Sequence, residues 1–400
     1  MASAKLNPLT TLLVDIPARR TRPKAGGHIA ELDGLRGVAV LLVLLYHFSI
    51  VLTYGAGPVR ALRTVFTPGW TGVDLFFVLS GCLITGILLD EKGTRGYFRR
   101  FYIRRVLRIC PVYYLALLVS FTVARAWLLP VGGVPFATSL AYFFNFSNWL
   151  SLHGREIEAL NHYWSLAVEE QFYLTFPLAV FLLSRKALLR ALTAVIVLAP
   201  VVRFFILSNV ADPEMARRIA YVLTPARADG LAFGAVVAIV LRDERLRAAA
   251  LRYSGAALGA IVSLLLMWFG VKARFHLESA ATLSLLYTLL ACAYALIVLR
   301  AADAAGGGSA AQKVLRFQFL RRAGRYSYAA YVFHFPLLVA TMPLFLGLSD
   351  RGRHLLALPW FLAGIAMTFL LARISWSLME APILRLKSAL APSPREVTGS

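Results

Sequence analysis

Apolar residues form long, nearly continuous blocks along this chain, and short charged segments separate them. A helix needs roughly 18–22 apolar residues to cross a hydrocarbon layer about 30 Å thick. Another apolar stretch, 137–150, is too short for a comfortable crossing and predicts an interfacial or re-entrant segment. The pattern predicts an all-α, polytopic transmembrane helix bundle with about ten spans, near 36–54, 71–90, 106–128, 162–183, 188–207, 219–241, 253–271, 280–299, 327–347 and 354–376.

The positive charge of the connecting segments predicts how these spans are oriented. With the N-terminus placed in the cytoplasm, the cytoplasmic segments contain 27 Lys and Arg residues and the opposite loops contain 9. Cytoplasmic loops of membrane proteins carry such an excess. If 137–150 crossed fully, every later loop would invert and the bias would collapse. Both termini are therefore predicted to be cytoplasmic, in a multi-pass membrane protein.

The composition supports a membrane protein and argues against a nucleic-acid-binding one. Apolar residues make up 59% of the chain and charged residues 16%, against roughly 25% charged in soluble domains. The net charge is +22, but no basic domain free of apolar spans exists to hold a nucleic acid. The expected surroundings are therefore membrane lipid. The three cysteines are scattered and predict neither a disulfide framework nor a metal site.

The same pattern predicts three regions along the chain. Residues 1–30 are basic, and prolines and an aspartate interrupt their apolar stretch, so a cleavable signal is not expected. Residues 31–388 form the predicted membrane domain. Residues 389–400 are predicted to be a cytoplasmic tail.

Ionisable side chains inside membrane helices are costly, roughly 2.5–3.5 kcal/mol each, so each one is a functional hypothesis. Arg36 and His47 are eleven residues apart, which is close to three helical turns and about 16 Å of rise. They therefore lie on nearly the same face. An anion held by Arg36 could reach His47 with its buried end, and His47 could accept and return a proton. The alternative is a packing histidine that bridges two helices.

Two further arginines, Arg105 and Arg108, are three residues apart and share a face at the cytoplasmic start of the third span. Fixed guanidinium groups at a membrane surface suit phosphate binding. Arg104 directly precedes them. The alternative is ordinary topology charge whose side chains extend to lipid phosphates.

Adjacent carboxylates, Glu169 and Glu170, lie roughly 10–12 Å below the outer surface in the fourth span, toward the predicted depth of His47. They are predicted to orient His47 or to bind acceptor hydroxyls. The alternative is a structural ion pair with Arg227 or Arg203.

Several other polar residues favour structural roles. Asp74, Arg227 and Asp229 are predicted to form structural pairs near the outer side. His334 precedes Phe335 and Pro336 and is predicted to be a packing histidine. The sequence has no HExxH, GxSxG or Gly-rich phosphate-loop motif, so zinc hydrolysis, a serine elbow and a P-loop are unsupported.

Together, several sequence blocks resemble the acyltransferase-3 family of bacterial membrane acyltransferases. The likeness extends over roughly residues 31–388. The blocks that carry it are 31–40 with 46–48, 72–81, 104–111, 163–173 and 324–336, together with a closing segment at 376–382.

The resemblance implies an O-acyltransferase of the bacterial cytoplasmic (inner) membrane, most commonly an O-acetyltransferase. It would use cytoplasmic acyl-CoA, with no permanently bound cofactor, to modify a hydroxyl of an extracytoplasmic sugar or glycan. The family's arginine–histidine pattern falls on Arg36 and His47, its paired arginines on Arg105 and Arg108, and its glutamate on Glu169 or Glu170. Some relatives carry an additional periplasmic hydrolase-like domain, which is not expected here.

Two hypotheses from other functional classes remain at this stage. A transporter or flippase of lipid-linked saccharide would also need polar residues near the midplane, although the inverted repeats typical of transporters are not found. An accessory membrane subunit would use its buried polar residues only to hold the bundle together. The sequence does not name the acyl group, the acceptor or the oligomeric state.

Overall fold

A computed structural model describes residues 29–130, 132–275, 279–303 and 309–391, and its described part is helical without any strand. Residues 1–28 and 392–400 of the predicted tails lie outside the described residues. Ten helices of 17 to 32 residues match the ten predicted spans, which confirms the all-α bundle. We number them α1 (Ala30–Phe48), α2 (Gly72–Glu91), α3 (Tyr97–Phe121), α4 (Tyr163–Leu182), α5 (Arg185–Asn209), α6 (Thr224–Val240), α7 (Glu244–Phe275), α8 (Ala280–Ala302), α9 (Gln318–Leu346) and α10 (Asp350–Ser375).

Hydropathy separates two of these helices from the others. Eight helical stretches in the described part are long and apolar enough to cross a bilayer, and they include every numbered helix except α3 and α4. Helix α3 contains Arg105 and Arg108, and α4 contains Glu169 and Glu170. The two helices that do not meet this criterion are therefore those that carry most of the predicted site residues.

The short apolar stretch at 137–150 does not form a full span. It contains the helix Phe136–Phe143, and the 3₁₀ turn Ser147–Leu152 begins near its end. Eight helical residues rise about 12 Å, well short of a hydrocarbon layer about 30 Å thick. The Tyr113 hydroxyl of α3 donates to the Tyr142 carbonyl over 2.6 Å and ties the segment to the bundle. This arrangement agrees with the predicted interfacial or re-entrant segment.

Helix α1 packs along α9, and two glycines allow the close contact. A methyl group added at Gly37 would overlap the Leu320 carbonyl, and one added at Gly324 would overlap the Asp33 carbonyl. Small residues allow membrane helices to approach closely in this way. The close approach brings the last turn of α1, which contains His47, against the middle of α9.

The chain stays helical beyond α10 and keeps contact with the bundle. A π-helical turn, Trp376–Glu380, leads into the helix Ala381–Leu390, which packs against α3. Such wide turns inside helices occur frequently at functional sites. The turn places Trp376 and Glu380 beside Arg108.

Candidate active site

A small cavity inside the bundle brings together five of the six predicted site residues. Residues of α1, α2, α3, α4 and α9 line this inner cavity, which has a volume of about 70 Å³. The predicted residues in its wall are Arg36, Arg105, Arg108, Glu169 and Glu170.

Two hydroxyl groups hold the Glu169 carboxylate inside this cavity. Ser80 Oγ donates to Glu169 Oε1 over 2.6 Å, and the Tyr173 hydroxyl donates to Glu169 Oε2 over 3.3 Å. Both oxygens of a buried carboxylate are thus satisfied, as burial of a charge requires. Glu169 is therefore fixed in position without an ion pair to Arg203 or Arg227.

Aromatic rings orient Arg105 in the wall of the inner cavity. Its guanidinium carbon lies 5.7 Å from the ring centres of both Phe101 and Tyr173. Its Nε is buried and has no hydrogen-bond partner in the part of the chain that the structure describes. A guanidinium held against ring faces keeps its N–H groups available at its edge for an anion.

The neighbouring arginines have different surroundings. The Arg108 guanidinium carbon lies 5.6 Å from the Trp376 ring centre, and Nη1 lies 3.8 Å from Glu380 Oε2. Arg104 instead pairs with Glu91 and donates from Nη2 to the Ala391 carbonyl over 3.0 Å. Arg105 and Arg108 therefore form the cavity pair, whereas Arg104 connects α3 to the end of α2 and the C-terminal helix.

His47 lies in a separate cluster of three histidines, which we call the histidine trio: His47 of α1, His162 at the start of α4 and His334 of α9. His47 Nδ1 lies 3.3 Å from His334 Nε2, and the rings of His162 and His334 are 4.8 Å apart. Among the described residues, no group of His, Cys, Asp and Glu is arranged to hold a metal ion.

The sequence pattern predicts a packing role for His334 and makes no prediction for His162. The signal that could have found them was the presence of two more histidines inside predicted spans, where every ionisable side chain is a functional hypothesis.

The hydrogen bonds of the trio define which nitrogens carry protons, because a carbonyl oxygen can only accept. His47 Nδ1 lies 3.0 Å from the Val43 carbonyl, and His334 Nδ1 lies 2.6 Å from the Tyr331 carbonyl. Both Nδ1 atoms therefore carry the hydrogen of the neutral ring. His334 Nε2 then presents a lone pair to the same Nδ1–H of His47, which it shares with the Val43 carbonyl, and His47 Nε2 is left as an unprotonated base.

His162 contributes a second free lone pair. Its Nε2 lies 3.2 Å from the Val332 carbonyl and donates to it. Its Nδ1 is buried and has no hydrogen-bond partner within the described part of the chain. An acceptor nitrogen in apolar surroundings normally finds a donor, so this atom is suited to receive a hydroxyl hydrogen from a bound molecule.

Tyr331 connects the inner cavity with the histidine trio. It lines the cavity, and its hydroxyl oxygen lies 2.6 Å from Ser165 Oγ. Its ring centre is 5.3 Å from that of His334 and 5.5 Å from that of His162. The two groups of polar residues are thus neighbours across one tyrosine.

Among the described contacts, no hydrogen bond joins Glu169 or Glu170 to His47. Glu169 is seven residues from His162 along α4, or about 10 Å of helical rise. The described hydrogen-bond partners of His47 are Val43 and His334. Among the described contacts, His334 occupies the orienting position that the sequence had assigned to Glu169 or Glu170.

A third polar cluster has the structural character that the sequence predicted. Arg227 Nη2 lies 2.6 Å from Asp74 Oδ1, and Arg203 Nη2 lies 2.9 Å from Asp229 Oδ2. The Arg227 guanidinium carbon also lies 4.4 Å from the Tyr287 ring centre. Both arginines form ion pairs with these aspartates, which argues against the alternative of ion pairs with Glu169 and Glu170.

We expect Arg227→Leu to lower the free energy of unfolding by about 3–5 kcal/mol, because it leaves Asp74 buried without its charge partner. Thermal unfolding of the detergent-solubilised protein would measure this effect. Arg218→Leu is a matched control, since this arginine side chain is 55% exposed and pairs with Glu156 over 3.5 Å. Equal melting temperatures for the two variants would contradict a structural role for the Asp74–Arg227 pair.

The chain is similar to a known protein family and to individual proteins. The sequence profile of the acyltransferase-3 family, described as an acyltransferase domain, matches residues 29–376. Peptidoglycan O-acetyltransferase OatA of Listeria monocytogenes is 30% identical over 384 residues, which cover 91% of this chain and 57% of that protein. Putative peptidoglycan O-acetyltransferase YrhL of Bacillus subtilis is 28% identical over 386 residues, which cover 89% of this chain and 55% of that protein.

The chain thus spans just over half the length of these two relatives. No solved structure matches it. The family profile nevertheless covers α1 to α10 and includes all of the residues that line the inner cavity and form the histidine trio. This multi-pass membrane protein therefore belongs to the acyltransferase-3 family of membrane acyltransferase enzymes.

Proposed function

We propose that this chain is a membrane O-acetyltransferase that uses cytoplasmic acetyl-CoA to modify a hydroxyl of an extracytoplasmic glycan. The observation that carries the proposal is the pair of linked sites. An arginine-lined cavity suits a phosphate-bearing donor, and a histidine with a free Nε2 lies on the other side of Tyr331. The names of the two relatives support a cell-wall glycan as the acceptor class.

The donor would bind through its phosphates to Arg36, Arg105 and Arg108 at the predicted cytoplasmic side. Guanidinium groups form strong charge-assisted hydrogen bonds with phosphate oxygens. The contact of Arg105 with two rings and of Arg108 with Trp376 keeps these groups in place before the donor arrives. The thioester arm would then extend past Tyr331 toward His47.

The histidine trio would provide the proton transfers. His47 Nε2 takes the proton of the acceptor hydroxyl, and the hydroxyl oxygen attacks the thioester carbonyl carbon. The carbon–sulfur bond then breaks, and the thiolate leaves with the proton returned by His47 Nε2. The Nδ1–H of His47 remains shared between the Val43 carbonyl and His334 Nε2, and these two acceptors stabilise the positive charge on His47 between the two steps.

An alternative mechanism with a covalent acyl-histidine intermediate would use the same nitrogen. His47 Nε2 would attack the thioester first, carry the acyl group and pass it to the hydroxyl. In both mechanisms the acyl group crosses the membrane domain while coenzyme A stays on the cytoplasmic side. In this scheme Glu169 and Glu170 accept hydrogen bonds from polar groups of the donor arm or the acceptor.

Mass spectrometry of surface glycans would test the proposal in a strain of the source bacterium that lacks this gene. We expect an acetyl mass increment to disappear on deletion. The wild-type chain should restore it, and a chain with His47→Ala should not. Unchanged glycans together with accumulated lipid-linked intermediates would reject acyl transfer in favour of a transporter.

A further inference from the structure

A second, larger pocket opens at the predicted cytoplasmic ends of α1, α9 and α10. We call it the arginine pocket. Its volume is about 470 Å³, within the range of small-molecule sites. Four arginines contribute to its wall, together with Asp33 and Tyr326; they are Arg321, Arg322, Arg325 and Arg373.

The charges of this pocket are not balanced by the described chain. Other arginines on the same predicted side pair with carboxylates, for example Arg100 with Glu91 over 3.2 Å and Arg247 with Asp303 over 2.8 Å. None of the four pocket arginines pairs with a carboxylate in the part of the chain that the structure describes. Arg321 and Arg325 are four residues apart on one helix face, where like charges repel. A bound anion would relieve that repulsion.

The arginine pocket is a neighbour of the inner cavity. Asp33 in its wall lies about one helical turn before Arg36 on α1. The Tyr326 ring is 6.0 Å from the Trp376 ring, and the same tryptophan lies 5.6 Å from the Arg108 guanidinium carbon. Trp376 therefore contacts one residue from each site. One elongated ligand could occupy both.

The inner cavity and the arginine pocket differ in volume, as binding of one elongated ligand with a narrow end and a bulky end would require. The inner cavity, about 70 Å³, suits a narrow chain, whereas the arginine pocket, about 470 Å³, has room for a bulky, highly charged group. Coenzyme A has a thin thioester arm at one end and a nucleotide with an additional 3′-phosphate at the other. Four arginines around one space match a phosphate monoester dianion.

We propose that the arginine pocket binds the 3′-phosphate of the donor's nucleotide, while the inner arginines bind the diphosphate beside the arm. The inference rests on the proposed use of acyl-CoA. It adds a recognition site for the end of the donor that does not react. The same phosphate chemistry could come from the headgroup of an anionic phospholipid, so the test separates the two sources.

The experiment measures binding of coenzyme A and of 3′-dephospho-coenzyme A to the purified full chain in nanodiscs of neutral phosphatidylcholine. We expect wild type to bind coenzyme A about 10–100-fold more tightly, since charge-assisted hydrogen bonds to phosphate are lost without the 3′-group. A variant with Arg321→Gln and Arg325→Gln should bind both ligands equally weakly, with dephospho-coenzyme A affinity unchanged. Arg245→Gln, at an exposed arginine of the same predicted side, should keep the wild-type preference.

The possible outcomes distinguish this inference from the proposed function. If wild type binds both ligands equally, the arginine pocket does not bind the 3′-phosphate and the inference is wrong. The same holds if the double variant keeps the preference for coenzyme A over dephospho-coenzyme A. Loss of the wild-type preference when anionic phosphatidylglycerol is added, without release by excess coenzyme A, would assign the pocket to lipid. If wild type binds neither ligand, the acyl-CoA donor itself is rejected.

Discussion

Alanine at position 47 is expected to reduce acyl transfer by ~10²–10⁴-fold, because it removes the nitrogen that exchanges a proton with the acceptor hydroxyl. The measurement is the initial rate of acetyl transfer from acetyl-CoA to a soluble glycan fragment by the purified protein. His354→Ala is the matched control, since this histidine is exposed on α10 and outside the trio. Its rate should equal that of wild type.

The partner histidine should behave as a positioning residue. His334→Leu removes one of the two acceptors of the His47 Nδ1–H, leaving the Val43 carbonyl, and should lower kcat by less than His47→Ala does. His334→Gln retains an acceptor oxygen and should recover part of that loss, whereas a purely packing role predicts no such rescue. If His47→Ala melts at the wild-type temperature and keeps the wild-type rate, the mechanism is wrong. Reduced abundance with normal specific activity would favour an accessory subunit.

Removing Arg105 or Arg108 from the inner cavity should weaken donor binding. For Arg105→Gln or Arg108→Gln we expect the KM for acetyl-CoA to rise about 10–100-fold, with a smaller change in kcat. A hydrogen bond to a charged group is worth about 1.5–3 kcal/mol, and the donor would lose at least one. Lysine at position 105 should not restore affinity, since an ammonium cannot reproduce a guanidinium stacked on Phe101 and Tyr173.

Arg104→Gln provides the control for this prediction within the same helix. Arg104 pairs with Glu91 and binds the Ala391 carbonyl, outside the inner cavity. Its replacement should therefore affect thermal stability and leave the KM for acetyl-CoA close to the wild-type value. An equal rise in KM for all three variants would indicate a general loss of cytoplasmic positive charge, and it would contradict a specific phosphate site.

The sequence predicted the helices because hydrophobic length is a local property. Each span is determined by its own run of apolar residues, so all ten predicted segments overlap a helix, with ends displaced by up to nine residues. The same local reasoning identified Arg36, Arg105, Arg108, Glu169 and Glu170, since an ionisable group in a membrane helix is costly wherever it occurs. The structure places all five in one cavity.

The partners of these groups were decided by tertiary packing. His47 and His334 are 287 positions apart, and Arg227 and Asp74 are 153 positions apart. No local pattern states which distant side chain will lie within 3.3 Å of another. The sequence therefore assigned the carboxylates to His47, whereas the structure gives His47 a histidine partner.

What the sequence by itself determined is the set of membrane helices and the unusual side chains buried in them. Its charge bias also predicts an orientation in the bilayer. The tertiary structure alone decided that α1 lies close against α9, through Gly37 and Gly324, and that His47 therefore meets His334. The physical reason is that insertion depends on the composition of each segment, whereas the contacts of a buried polar group depend on which helix backbones can approach each other.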